Sequence, residues 1–322
     1  MVSLYVLIIL FSVLALGLLF TLNFLYKRTN AYTNQFVDIH KFKRLKGVDD
    51  KSVDVVVLGS NAPKFAFDFT DVKELNCQNW AIGPETFQYD FVILKKFSEK
   101  LKRGATIIWP VCPGKFFLDK FKSSSPLVKY YSILGRNEFP DYNKLQCLKD
   151  YKYPLVFHPK LIKRLIKDIY QDKKMDLEYN PMNEEEVAID ASWWIHECWN
   201  PEFNINIENM APLSDGNRMA VEFNISVIHE AITYCRNNGF NIIFAYLPLT
   251  KELGDFFSTD YVKNHMTRYL MSAIGGESVR FVDYMRNERF QNRELYINSF
   301  FMNRKGARIF TNTFLKENIA KK

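Results

Sequence analysis

Apolar and polar positions follow two patterns along the chain: short runs made mostly of apolar residues, and longer segments in which apolar residues recur at helical spacing. The apolar runs are typical of buried strands in a parallel sheet and lie at 53–59, 77–82, 105–111, 241–247 and 279–284. Helical spacing predicts helices from Pro84 to Gly104, after Asp215-Gly216 up to Gly239, at 261–274 and from about 305 to 318. This alternation predicts an α/β three-layer sandwich with a parallel sheet of about five strands.

Residues 1–26 contain no charged side chain. A bilayer is crossed by about 20 apolar residues, and Tyr5 and Tyr26 stand near the two ends, where interfacial aromatics are found. The basic start, short apolar core and small residues of a cleaved signal peptide are missing. The segment is therefore predicted to be an uncleaved transmembrane anchor, whose partner is the lipid bilayer. Lys27, Arg28 and the basic residues after them favour a cytoplasmic side for the rest of the chain.

The remaining chain is predicted to divide into a polar stalk at 27–50 and an α/β domain at 51–322, with an irregular insertion at 115–215. Within the insertion, residues 161–170 have the pattern of an amphipathic helix. Trp193, Trp194 and Trp199 cluster there with His196 and Glu197. These rings are interpreted either as an insertion packed on the sheet edge or as an exposed platform for sugar rings. Core packing is favoured, because large aromatics are usually buried.

Composition narrows the classes of function. The 28 Phe and 17 Tyr among 322 residues allow a large core. The net charge of +7 is spread along the chain without a basic stripe, so a nucleic-acid partner is not expected. None of the five Cys stands in a C-x-x-C pair and the five His are scattered, so neither a disulfide framework nor a metal site is predicted. No cofactor is predicted either.

The first strand ends in Gly59-Ser60-Asn61. In open α/β sheets, ligands bind where strands end at their carboxyl edge, and Gly59 permits a sharp turn that a side chain would resist. This stretch is therefore the first candidate piece of a polar site. The alternative is an ordinary turn with no ligand.

Three blocks together resemble the SGNH (GDSL-type) hydrolase superfamily, in particular the membrane-anchored SGNH-like proteins associated with bacterial surface polysaccharides. They are LGSNAPKFAFDF at 58–69, NWAIGPETFQYDFVIL at 79–94 and LYINSFFMNRKGARIFT at 295–311. They stand in the order of that family, on predicted strand and helix ends. The resemblance implies a flavodoxin-like sandwich and a site for acyl-ester chemistry.

In that family a Ser attacks the acyl carbonyl, a His activates the Ser, and an Asp orients the His. By resemblance, Gly59 holds the family's Gly, whereas Asn61 stands at the position of the nucleophile. The run Asn303 to Ala307 sets the register of the last block, so that Phe301 stands at the His position and Asn298 at the Asp position. Neither an amide nor a phenyl ring is a general base.

The oxyanion donors of the family have possible equivalents here. They are the side chain of Asn79 and the backbone N–H of Ala81 or Gly83. The resemblance thus implies a binding site whose catalytic positions have decayed. The alternative is that Ser60, one residue early on the turn, is a nucleophile served by a base from elsewhere, such as His196.

Three functions remain open. The first is a non-catalytic module that binds a glycan or another partner, and the second is a structural subunit docked on a membrane acyltransferase. The third is an active ester hydrolase or O-acyltransferase that uses Ser60. The favoured expectation is an accessory or binding protein in surface-polysaccharide assembly or acylation, and the polysaccharide is implied by the resemblance alone. Related proteins mostly face outwards, which implies an extracytoplasmic domain, against the Lys/Arg bias.

Overall fold

The structure, a computed structural model, describes residues 2–45, 47–121, 123, 125–170, 182–210 and 212–319. These residues fall into two compact units. The anchor unit comprises the described residues within 1–44 and 123–177, and the sheet unit comprises those within 45–122 and 178–322. The predicted stalk thus lies largely in the anchor unit, and the predicted insertion contributes to both units.

One parallel sheet of five strands forms the centre of the sheet unit, as predicted. The strands are β1 Val53–Val57, β2 Cys77–Asn79, β3 Leu101–Pro110, β4 Asn241–Tyr246 and β5 Arg280–Asp283, in the order β2-β1-β3-β4-β5. Every valine of β1 is buried, which explains why this strand appears in the sequence as an almost continuous apolar run. Helices surround the sheet. Because β1 and β3 are parallel neighbours, the polar residues that follow their carboxyl ends lie at the same edge of the sheet.

The helices of the sheet unit include the predicted ones, with two changes in their bounds. The α-helices are Asn61–Ala66, Phe87–Phe97, Glu184–Trp193, Asn200–Phe203, Asp215–Asn237, Lys251–Gly254, Thr259–Tyr261, Arg268–Ile274 and Arg304–Asn318. Shorter 3-10 segments are Ser98–Lys100, Lys115–Phe117, Glu288–Phe290 and Arg293–Leu295, and π-helical turns are Trp194–Trp199 and Val262–Thr267. The predicted helix at 261–274 is therefore a composite that begins at Thr259.

Gly104 was predicted to end a helix, and that prediction is wrong. The α-helix ends at Phe97, and β3 already begins at Leu101. Gly104 lies inside β3 with a φ of +80°, beside a register shift in the pairing of β1 with β3. A glycine at such an irregularity allows the strand to continue.

The anchor unit begins with the helix Val2–Tyr26. Its stretch Leu4–Tyr26 is long and apolar enough to cross a bilayer, and its apolar side chains are exposed, as for Leu14 at 65%. The other α-helices are Asn30–Thr33, His40–Leu45, Lys144–Gln146, Pro154–Phe157 and Ile162–Tyr170; 3-10 segments are Asn34–Ile39, Ser125–Ser132 and Pro159–Leu161, and Cys147–Lys152 is a π-helical turn.

An aromatic and aliphatic cluster forms the core of the anchor unit. Its buried members are Tyr26, Tyr32, Phe36, Val128, Leu155 and Leu165. Asn23, on the last turns of the N-terminal helix, donates to the carbonyl of Lys152 at 3.1 Å and accepts from the N–H of Leu155 at 3.1 Å. The N-terminal helix is therefore packed and hydrogen-bonded at its carboxyl end.

Candidate functional site

The turn after β1 has the shape that the sequence predicts. Gly59 has a φ of +116°, and a Cβ there would lie 2.6 Å from the Pro63 ring. The N–H of Ile82 donates to the Gly59 carbonyl at 2.8 Å, which joins the turn to the chain after β2. Ser60 precedes the helix Asn61–Ala66, and its hydroxyl accepts from the N–H of Glu85 at 3.3 Å. Because that hydrogen bond uses an acceptor lone pair, it does not activate Ser60 as a nucleophile.

Asn61 and Gly83, two of the predicted site residues, are in close contact. A Cβ on Gly83 would lie 1.6 Å from Asn61 Oδ1. The Asn61 side chain therefore occupies the space that a larger residue at 83 would need. The turn after β1 and the segment after β2 consequently converge on one small region at the carboxyl edge of the sheet.

Asn79 and Ala81 are engaged with each other and with neighbouring backbone. The Asn79 amide lies within hydrogen-bond distance of the carbonyls of Pro63 at 3.2 Å and Phe67 at 3.0 Å, and its oxygen accepts from the N–H of Ala81 at 3.1 Å. These bonds provide donors for backbone carbonyls at the end of the helix Asn61–Ala66 and hold that end against β2. In this geometry Asn79 positions the turn instead of presenting its amide to a ligand.

Asn298 and Phe301 are brought to the same region by a hydrogen-bonded turn. Asn298 Oδ1 accepts from the N–H of Phe300 at 3.0 Å and of Phe301 at 2.7 Å. The Phe301 ring then packs on Phe65 and Trp194, with centroid separations of 4.9 and 5.5 Å. The side chain that the resemblance places at the position of the base is thus part of an aromatic cluster.

A carboxylate also holds this turn in place. Asp190 Oδ2 accepts from both the N–H and the hydroxyl of the fully buried Ser299, at 2.9 and 2.5 Å. Thr250 donates from its hydroxyl to the Ser299 carbonyl at 2.9 Å. Bonds to a charged acceptor are stronger than neutral ones, so the turn that carries Phe301 is well positioned.

A cavity of about 110 Å³ lies where these segments meet. Ser60 and Asn61 line it from the turn after β1, and Cys112 and Lys115 line it after the end of β3. Five aromatic residues also line it: Trp194, Trp199, Phe203, Phe300 and Phe301. The volume suits a group of only a few non-hydrogen atoms. The cavity therefore combines a few polar atoms with apolar walls, as small-molecule sites do.

The tryptophan cluster is largely packed, in line with the favoured interpretation. Trp199 is buried, and Trp194 contacts Trp199 and Phe300 at centroid distances of 5.6 and 5.3 Å, whereas Trp193 is 49% exposed. The indole Nε1 of Trp194 is buried and has no hydrogen-bond partner among the described residues. A buried N–H donor beside a cavity favours a ligand that carries an oxygen acceptor.

A buried ion pair beside the cavity was not predicted from the sequence. Lys115 Nζ lies 2.5 Å from Asp90 Oδ2, which also accepts from Trp109 Nε1 at 2.7 Å. Lys115 is 4% exposed and Asp90 is fully buried. Asp90 Oδ1 has no partner among the described residues. The sequence offered one signal for Lys115: it directly follows the Pro113-Gly114 turn after β3, and parallel strands end at a common edge of the sheet.

Cys112 is a further cavity residue that the sequence analysis did not single out. Burial, only partly opposed by the nearby Lys115 ammonium, raises the pKa of the Cys112 thiol to about 11. The thiol is therefore protonated at neutral pH, which does not favour nucleophilic chemistry.

His196, the proposed alternative base, is engaged elsewhere. Its Nε2 lies 2.7 Å from Glu208 Oε2, and its Nδ1 lies 3.0 Å from the carbonyl of Ser192. No histidine is among the described residues that line the cavity. Likewise, no group of three or more potential metal ligands occurs within the described ranges.

The sequence matches no protein-family model and no curated protein. The candidate site is therefore interpreted from its own geometry.

Proposed function

We propose that this protein is a single-pass membrane protein whose sheet unit binds an acylated sugar group without cleaving it, as an accessory factor in surface-polysaccharide assembly or acylation. The observation that carries the proposal is the small aromatic cavity at the carboxyl edge of β1 and β3, lined in part by Trp194, whose buried indole N–H has no partner among the described residues. The aromatic walls suit the apolar part of a short acyl group, and the N–H donor matches its carbonyl oxygen.

Two features support binding over turnover. The Ser60 hydroxyl accepts a hydrogen bond from Glu85 N–H, and the ring of Phe301 lies where the resemblance expects the base. Removal of triad members leaves only the residual effect of an oxyanion hole and substrate binding, about 10³–10⁴ over water. The cavity is also small enough to select an acyl group over a whole sugar ring.

The catalytic arm of the test uses the full chain in detergent or nanodiscs, with wild type and Ser60→Ala compared. A fluorophosphonate probe should not label either protein, and hydrolysis of an aryl acetate should be the same in both. Stoichiometric labelling of the wild type that disappears in Ser60→Ala would restore the ester hydrolase or O-acyltransferase.

The binding arm compares an O-acetylated methyl hexoside with its unacetylated parent, by ligand-observed NMR. The acetylated compound should bind more tightly. Trp194→Phe keeps an aromatic ring but removes the N–H, so affinity should fall by about three- to tenfold, the effect of one hydrogen bond. Trp193→Phe is the matched control and should bind like the wild type. Equal binding of the two sugars would contradict the proposal.

A further inference from the structure

The helix Ile162–Tyr170 of the anchor unit has two apolar stripes. Leu165 is a buried member of the core cluster, and Leu161, directly before the helix, packs against that cluster. Ile162 and Ile166, one position further round the helix, are 38% and 50% exposed. Residues four apart lie on the same helix face, so the two isoleucines form a continuous exposed stripe.

Residues 152–155, which precede this helix in the anchor unit, contact the N-terminal helix near its carboxyl end. The ring of Tyr153 packs edge-on against Phe20 at 5.4 Å, and Asn23 hydrogen-bonds the backbone of Lys152 and Leu155. Phe20 is six residues before Tyr26, which is about 9 Å along a helix axis. If the hydrocarbon core, about 20 residues deep, is counted from Leu4, it ends near Asn23. The turn at 152–155 is thus at the boundary between acyl chains and headgroups.

The segment 144–167, which contains this turn and most of this helix, is strongly basic. Residues 144–167 contain seven Lys or Arg and one Asp. Lys163 and Lys167 stand next to the isoleucine stripe on the helix, and Lys27 and Arg28 follow the N-terminal helix directly. Exposed apolar side chains flanked by Lys and Arg are typical of helices that lie in a membrane interface, where long basic side chains extend to the phosphates.

We propose that residues 144–167 form a second membrane contact on the bilayer that the N-terminal helix crosses. Ile162 and Ile166 insert at the acyl boundary, and the Lys and Arg side chains bind the phosphates of anionic lipids. A lipid surface is favoured over a protein partner because the segment packs against the carboxyl end of the N-terminal helix and carries the charge complementary to anionic lipids. The inference rests on the membrane-spanning role of that helix. Its consequence is that the anchor unit is fixed against the bilayer at two places.

Photocrosslinking of the full chain in nanodiscs of phosphatidylcholine and phosphatidylglycerol tests this contact. The photoreactive residue p-benzoylphenylalanine replaces Ile166, Leu14 as the reference for the spanning helix, or Ile309 as an exposed isoleucine of the sheet unit, in separate proteins. Lipid adducts, measured by mass spectrometry, should be similar at Ile166 and Leu14 and about fivefold or more above Ile309. Removal of phosphatidylglycerol should lower the adduct at Ile166 by about fivefold and leave that at Leu14 unchanged.

The outcomes separate the inference from its premise. Lipid adducts at Leu14 with only the Ile309 level at Ile166 would overturn the second contact alone. Adducts between Ile166 and another copy of the chain would also overturn it, in favour of a protein interface. The same adduct at Ile166 with and without phosphatidylglycerol would refute the anionic-lipid assignment. No lipid adduct at Leu14 would refute the membrane-spanning role and the inference with it. The Ile309-substituted protein is first checked for the wild-type tryptophan-detected unfolding midpoint, and the Leu14- and Ile166-substituted proteins are checked for wild-type hydrogen exchange at 152–158.

Discussion

Different interactions stabilise the sheet unit and the anchor unit, each within itself. In the sheet unit, strands distant in sequence pair directly, as Thr106 of β3 does with Asn241 of β4, and an ion pair is buried beside the sheet. The described part of the anchor unit contains no strand. Its core is made of rings and aliphatic side chains around the end of one apolar helix. The comparison indicates that the sheet unit has its own core. The core of the anchor unit, in contrast, includes the carboxyl end of a helix whose preceding residues are apolar enough to lie in a bilayer.

The largest effect is expected for Lys115→Met in the sheet unit. The substitution leaves the Asp90 carboxylate buried without its ammonium partner, and such a loss costs about 3–5 kcal/mol of unfolding free energy. All five tryptophans lie in the sheet unit, so denaturant unfolding of the full chain followed by tryptophan fluorescence measures the effect there.

Lys251→Met is the matched control for that substitution. Lys251 and Asp255 form an exposed i,i+4 pair, and such pairs contribute about 0.3–0.5 kcal/mol. If both variants have the wild-type midpoint, the buried pair does not stabilise the sheet unit.

Trp194→Ala should lower the unfolding free energy of the sheet unit by about 3 kcal/mol, because the ring packs against Phe300 and Trp199. Trp193→Ala is the comparison, since that ring is half exposed and its loss should cost under about 1 kcal/mol. An unchanged midpoint in Trp194→Ala together with lost binding of the acetylated hexoside would favour the exposed sugar platform.

Asn23→Leu probes the anchor unit. The Lys152 carbonyl and the Leu155 N–H both lose their partner, at about 1–3 kcal/mol for each buried group left unpaired. Hydrogen exchange should therefore become at least about tenfold faster at 152–158, whereas the tryptophan-detected midpoint should stay unchanged. An equal shift in both measurements would mean that the two units unfold together, and the contrast between them would be lost.

Gly83→Ala should cost about 1–3 kcal/mol, because the new methyl group overlaps the Asn61 amide. Asn61→Ala creates the missing space, so the double variant should recover part of the loss. Gly17→Ala is the control, since among the described residues no atom outside the helix's own backbone lies within 4 Å of a Cβ there. Additive effects of the two sheet-unit substitutions in a double-mutant cycle would contradict the contact.

Cys112 should show the smallest effect, on reactivity instead of stability. With a thiol pKa of about 11, roughly one molecule in a thousand carries the thiolate at pH 8. Alkylation by iodoacetamide should therefore be slow at pH 8 and accelerate about tenfold per pH unit up to pH 11. The same cysteine in denatured protein is the control, and fast labelling of the folded protein would contradict the burial of the thiol.

The sequence was sufficient for the three central strands, because buried parallel strands are apolar runs and β1 is nearly all valine. The edge strands β2 and β5 are only partly buried and include polar residues. It was insufficient for Lys115, since a lysine after a strand is ordinarily solvated and only the fold brings Asp90 to it. Asn79 fits an oxyanion donor by residue type, but the carbonyls of Pro63 and Phe67 that it meets depend on how the next helix is placed. Tyr32 and Phe36 stand four residues apart among polar residues, so the segment 27–50 was predicted to be a stalk although it contributes to a core.

The end of the N-terminal helix restricts how this protein can be engineered. Asn23 and Tyr26 stand three residues apart and therefore lie on the same face, which fixes the rotation of the helix about its own axis. A chain shortened to begin after Tyr26, the usual way to obtain a water-soluble version, would expose Leu155 and Leu165 and leave the Lys152 carbonyl unpaired. A membrane helix borrowed from another protein would return such a chain to the bilayer but would not rebuild the cluster.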